Sequence, residues 1–172
     1  SLGSIAFTGL ENVTLGSGND TATIATNANA ALNTLNAGDG SDILNTNNSV
    51  NNLTINTSAT GTVDGTSISN FETINTLDGN DSVTVNNSAT ALNLNTGLGT
   101  DSLTSTTTAD NLNVSAVNAG SLGSIAFTGL ENVTLGSGND TATFSTGGGL
   151  SGSLNLGEGN NSLTFNSGAG TL

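Results

Sequence analysis

The sequence predicts an all-β chain, a right-handed parallel β-helix (β-solenoid) of about 20 residues per coil and about eight coils. Three observations carry that expectation. Residues 1–23, SLGSIAFTGLENVTLGSGNDTAT, recur letter for letter as residues 121–143. A Gly-rich turn, usually ending in Asp, punctuates the chain at nearly constant intervals. Around the turns, apolar residues alternate with Thr, Ser and Asn, the period-two pattern of strands with one face inward.

In chain order, Val13 and Leu15 precede the turn GSGND (16–20), and Ala22 and Ile24 follow it. The next turn is GDGSD (38–42), and a coil without Asp is expected around Thr60-Gly61. LDGND (77–81) leads into Ser82-Val83-Thr84-Val85, and Leu92 and Leu94 lead into GLGTD (97–101). A second coil without Asp is expected around Gly120. GSGND (136–140) lies between Val133/Leu135 and Ala142/Phe144, and GEGNN (157–161) between Leu154/Leu156 and Leu163/Phe165. The turns end at Asp20, Asp42, Asp81, Asp101, Asp140 and Asn161, so the second and fourth intervals are nearly double the others. Each double interval is read as two coils. A longer period of about 60 residues shows in Glu11, Glu72 and Glu131, within LEN, FET and LEN. Residues 1–172 are therefore expected to form a single repeat array, three coils to the longer repeat, as a segment of a longer chain.

At a rung spacing of about 4.8 Å, eight coils make a rod roughly 40 Å long. Thr14, Asn36, Asn75, Asn95, Thr134 and Asn155 recur just before the turns. Stacked, they either hydrogen-bond along the axis or stand as outward polar residues of half-buried strands.

The composition narrows the chemistry. Apolar residues are 33% of the chain, enough for a core one side chain deep but not for a thick one. There is no Lys, Arg, His, Cys, Met, Pro, Trp or Tyr, and the net charge is −13. Salt bridges and disulfides are thereby excluded, and phosphate-rich partners such as nucleic acid or anionic membrane find nothing to neutralise them. No apolar run approaches transmembrane length, so no membrane insertion is expected. Only carboxylates and hydroxyls remain for catalysis. The pairs Asp39/Asp42 and Asp78/Asp81 belong to the repeating turns, whereas an active site should break a repeat; no enzyme is expected.

Stacked coils would set Asp20 beside Asp42 and Asp81 beside Asp101, with Asp140 in a later turn. Like charges about 5 Å apart repel by roughly 1 kcal/mol even in water. A calcium ion bridging carboxylates and turn carbonyls would reverse that sign. The other reading is a tight Gly turn whose Asp accepts local N–H groups. Gly16-Ser17-Gly18-Asn19-Asp20 followed by Thr21-Ala22-Thr23, with its copy at 136–143, resembles the G-x-G-x-D-x-U core of RTX repeats. Leu15 stands where that nonapeptide opens with Gly. One such turn per coil is similar to repeat regions of large bacterial surface adhesins and filamentous haemagglutinin-like proteins. The resemblance implies Ca2+ as the cofactor, with Asp20, Asp42, Asp81, Asp101 and Asp140 as candidate ligands. It also implies an extracellular or cell-surface location.

The expected function is a structural rod or filament subunit without catalysis, its partners being copies of itself end to end or the rest of a longer chain. The alternative is a binding module whose outward Asn, Thr and Asp faces meet glycans, a partner cell or ice. An ice-binding face would favour one flat row of repeated Thr, whereas Thr21, Ser82, Ser102, Thr141 and Ser162 form a mixed row.

Overall fold

The computed structural model describes residues 10–24, 32–47, 49–57, 60–89 and 91–170. The described chain is all-β, without a helix, in two nine-stranded sheets whose pairing is mostly parallel. Alternating Thr, Val, Ile and Leu favour extended backbone, and residues at positive φ, mostly Gly, mark many of the turns between runs.

The chain passes back and forth between the sheets. β1 (Asn12–Ser17) and β2 (Thr21–Thr23) flank the first turn, and β3 (Thr34–Asp39) and β4 (Ile43–Asn45) flank the second. β5 (Asn52–Thr57), β6 (Thr60–Val63) and β7 (Thr66–Ser69) then stay within the first sheet as an antiparallel meander. β8 (Thr73–Asn75), β9 (Ser82–Val85), β10 (Leu92–Asn95) and β11 (Asp101–Ser105) alternate between the sheets again. A second meander, in the second sheet, comprises β12 (Asn111–Ala116), β13 (Ala119–Leu122) and β14 (Ile125–Thr128). β15 (Leu130–Thr134), β16 (Thr141–Phe144), β17 (Leu154–Asn155) and β18 (Ser162–Phe165) complete the chain.

The first sheet runs β1-β3-β7-β6-β5-β9-β11-β15-β17, and the second β2-β4-β8-β10-β14-β13-β12-β16-β18. Around Thr60-Gly61 and Gly120, where coils lacking Asp were expected, the structure instead has the middle strands of the two meanders. The strand order is therefore mixed, and the uninterrupted stack of coils is not present. The double interval from Asp42 to Asp81 divides unevenly at Asn51, whose N–H donates to Asp81 across |i−j| = 30. The second double interval divides in the same way at Asp110, which donates to Asp140 across |i−j| = 30.

Inward residues of both sheets form one continuous core. Val83, Val85, Leu94, Leu103, Leu112, Phe127, Val133 and Phe144 are all buried. Each such aliphatic or aromatic side chain contributes about 1.5–3 kcal/mol relative to exposure. The two copies of the repeated block pair upward in the same sense at equivalent positions. Val13 pairs with Leu35 as Val133 pairs with Leu154, and Thr21 pairs with Ile43 as Thr141 pairs with Ser162, all in parallel. Ser1–Gly9 lie outside the described residues.

Candidate functional site

The turns position the acidic residues, and glycine is needed there for two physical reasons. Gly38 has φ of +100°, a conformation that L side chains rarely adopt, and a Cβ on it would overlap the carbonyl oxygen of Gly16 one rung away. Gly159, with φ of +110°, stands in the same relation to Gly138. Stacking at this closeness brings successive turns into direct hydrogen-bonding range.

Each pair of adjacent Gly turns is joined by a reciprocal pair of bonds. Asp20 N–H donates to Asp42 Oδ1 at 2.7 Å, while Ser41 N–H donates to Asn19 Oδ1 at 3.0 Å. Asp81 N–H donates to Asp101 Oδ1 at 2.7 Å, and Thr100 N–H to Asn80 Oδ1 at 2.9 Å. Asp140 N–H donates to Asn161 Oδ1 at 2.9 Å, and Asn160 N–H to Asn139 Oδ1 at 3.0 Å. The Asn of each lower turn thus accepts from the turn above, and the Asp or Asn that ends the upper turn accepts from the one below.

These bonds extend into three ladders. Asp20 and Asp42 continue to Glu72, whose carboxylate accepts Asp42 N–H at 2.7 Å. Asn51, Asp81 and Asp101 continue to Glu131, which accepts Asp101 N–H at 2.7 Å and the Asn118 amide at 2.7 Å. Asp110, Asp140 and Asn161 form the third, with Asp110 N–H donating to Asp140 Oδ1 at 2.7 Å. The first and third ladders lie where the chain crosses from the first sheet to the second, and the middle ladder lies on return crossings. Around each meander two crossings without a Gly-rich turn fall in succession, one before it and one after it, so the next Gly turn lies on a crossing of the opposite direction.

Asp20 and Asp42, and Asp81 and Asp101, are therefore neighbours as expected, whereas the five aspartates do not share one line. Asp42, Asp81, Asp101 and Asp140 are buried, and Asp20 is half-buried. In each of those four buried carboxylates Oδ1 accepts a backbone N–H while Oδ2 has no hydrogen-bond partner. Asn161 shows what the second branch of the side chain meets, since its Nδ2 donates to the Leu156 carbonyl at 2.9 Å. A carboxylate in that position presents an acceptor where the amide presents a donor. Burial pushes the Asp101 carboxyl above the usual carboxylate range, and the charges of Asp81 and Glu131 add to that rise. The Asp81 N–H opposes it. Among the described residues, no three acidic side chains are grouped to hold a metal ion.

Asp110, Glu72 and Glu131 were not expected at this site. Asp110 lacks the Gly turn that marks the others, and it accepts from Ser105 Oγ at 3.0 Å, from Thr107 Oγ1 and from Gly136 N–H at 3.2 Å. The regular recurrence of Glu at positions 11, 72 and 131 was the available signal for the other two.

Of the polar ladders, Asn75 Nδ2 donates to Asn45 Oδ1 at 2.8 Å, and Asn36 accepts from Asn70 at 2.9 Å. Asn155 instead accepts the N–H of Gly157 two residues on, at 3.0 Å, so both readings of these residues have instances. A buried column runs beside them, in which the Thr46, Thr76 and Thr96 hydroxyls donate to the carbonyls of Thr76, Thr96 and Thr128 at 3.0, 3.2 and 3.2 Å. The row Thr21, Ser82, Ser102, Thr141 and Ser162 is divided between the sheets, since β9 and β11 lie in the first and β2, β16 and β18 in the second. An apolar cavity lined by Ile55, Ile68, Phe71, Ile74 and Leu92 has a volume of about 20 Å³, too small for a sugar ring. No helix among the described residues is long and apolar enough to cross a membrane.

No family model matches the chain, and neither the curated proteins nor the solved structures yield a match.

Proposed function

We propose that the chain is a structural segment of an extracellular or cell-surface protein, a stiff spacer wound as a right-handed β-solenoid into which two meanders are spliced, and without catalysis. The observation that carries the reading is the reciprocal Asn–Asp bonding of neighbouring turns, repeated at three places. The acidic side chains are spent on holding one rung to the next rather than gathered into a cleft. A composition without His, Cys, Lys, Arg or Tyr agrees with a mechanical role. A glycan array tests it: a spacer binds nothing there, while saturable binding of one glycan class would replace this reading with the binding-module one.

A second reading concerns calcium, favoured by the unpartnered buried Oδ2 atoms of Asp42, Asp81, Asp101 and Asp140. A cation between such an oxygen and turn carbonyls would supply the charge these ladders lack. Calcium removal should then lower the melting temperature by several degrees. An unchanged melt leaves the aspartates as hydrogen-bond acceptors alone.

A further inference from the structure

We propose that the outer face of the first sheet binds ice, through a straight row of threonines that the register of that sheet assembles. The proposal goes beyond the spacer role, which does not depend on it. Thr62 pairs with Thr54, Thr54 with Thr84, Thr84 with Thr104 and Thr104 with Thr134. These five lie on β6, β5, β9, β11 and β15, which are consecutive strands of the first sheet. Thr34 and Ser67 prolong the row on one side and Asn155 on the other. Two of the five threonines come from the first meander, and the five fall at unequal intervals along the chain, so only the folded register lines them up. Unlike the mixed row that is divided between the sheets, this one lies wholly in one face.

The hydroxyls of Thr54, Thr62, Thr84, Thr104 and Thr134 have no hydrogen-bond partner among the described residues. The columns beside them are held within the protein. On one side Asn86 donates to Asn56 and Thr106 to Asn86, each at 2.8 Å, and on the other Asn132 donates to the Asp101 carbonyl at 3.2 Å. Thr104 is exposed and the other four threonines are half-buried, while Leu53, Val83, Val85, Leu103 and Val133 are buried behind them. A β-branched side chain on so fixed a backbone has few rotamers. Hydroxyls and methyls therefore repeat at the rung spacing of about 4.8 Å, with the flanking columns roughly 7 Å away.

Ice is the occupant these features fit. On β5, β9, β11 and β15 the three columns consist of Thr, Ser, Asn and Gly, so a charged ligand finds no counter-charge there. They hold no aromatic ring on which a sugar could stack. A second copy would bring another net charge of −13 against the first. An ice face is uncharged and repeats without end at a spacing close to that of the rungs, so each rung adds the same small contact and the row multiplies it. Free hydroxyls bond the surface waters, and the methyls fill the gaps between them.

Partitioning of the full chain into a slowly growing ice front, with osmometry under a microscope, tests the proposal. The wild-type chain should enter the ice, shape the crystals and separate the freezing point from the melting point. Thr84→Tyr and Thr104→Tyr should each abolish all three effects, because one bulky ring holds the neighbouring rungs off a flat lattice. Circular dichroism checks that strand content is unchanged in both. Asn93→Tyr, at an exposed position on β10 of the second sheet, should keep all three effects. A wild-type chain excluded from ice, or an equal loss in Asn93→Tyr, would overturn the proposal and leave the spacer reading standing. Glycan-array binding that Thr104→Tyr removes would assign the face to a sugar, overturning this proposal and the spacer reading together. A dimer in sedimentation velocity that Thr104→Tyr dissociates would assign the face to a second copy, overturning this proposal alone.

Discussion

Asp101 shows at the scale of one residue why a carboxylate can be placed where no cation exists to meet it. Its Oδ1 accepts the Asp81 N–H, an acceptor's task that an amide performs equally well, as Asn161 does for Asp140. Its Oδ2 has no partner, and Asn161 Nδ2 donates to a turn carbonyl from the corresponding branch. Asp101→Asn should therefore leave stability at pH 7 unchanged or raise it by about 1 kcal/mol, while Asp101→Ala should lower it by about 1–3 kcal/mol, read by urea denaturation without calcium. The raised carboxyl of Asp101 also sets a pH dependence. Its native form holds a proton more readily than the unfolded chain, so stability falls as pH rises from the unfolded carboxylate value near 3.9 through the native one. The melting temperature should accordingly rise as the pH is lowered from neutrality toward that unfolded value. A fall over that interval would show that the ladders need ionised carboxylates.

At the scale of elements, the meanders are the decisive feature. The first turns at Asp64-Gly65, with φ of 48° and 88°, the positive pair that a two-residue hairpin loop requires. Val63 and Thr66 pair across it, as Leu122 and Ile125 do in the second meander. That Asp-Gly between Thr62-Val63 and Thr66-Ser67 was a legible hairpin signal, masked because the double interval matches the length of two equal coils. Gly61 and Gly120 sit in the middle strands, where a Cβ would strike the carbonyl oxygens of Thr54 and Asn113. Gly120→Ala should cost about 1–3 kcal/mol by overpacking and speed amide exchange in β12–β14 more than in β8–β10. The turns themselves were readable in the sequence because glycine spacing reports the closeness of the stack directly.

For the whole molecule, a charge of −13 without a single cation is the dominant long-range term. Five buried aspartates lie in ladders where each neighbours another acidic group or Asn, so the folded state concentrates what the unfolded chain spreads out. Added salt should stabilise: raising sodium chloride from about 10 to about 150 mM shortens the screening length from roughly 30 to 8 Å, and the melting temperature should climb over that range. A melt insensitive to salt would mean that the carboxylates are already neutralised by protons or bound ions.

The local choices were set by the chain alone: strands where β-branched and apolar residues alternate with polar ones, turns where glycine recurs, inward faces at Val83, Leu94, Val133 and Phe144. Asp42 and Asp101 were marked as turn residues by the same periodicity. How the turns are divided among separate ladders was decided only in three dimensions, because a meander of three strands and a coil of two crossings consume similar lengths of similar sequence. That choice divides the aspartates into three ladders and recruits Glu72, Asp110 and Glu131 to them. Pairing between strands so distant along the chain depends on packing over the whole core, which no window of sequence contains.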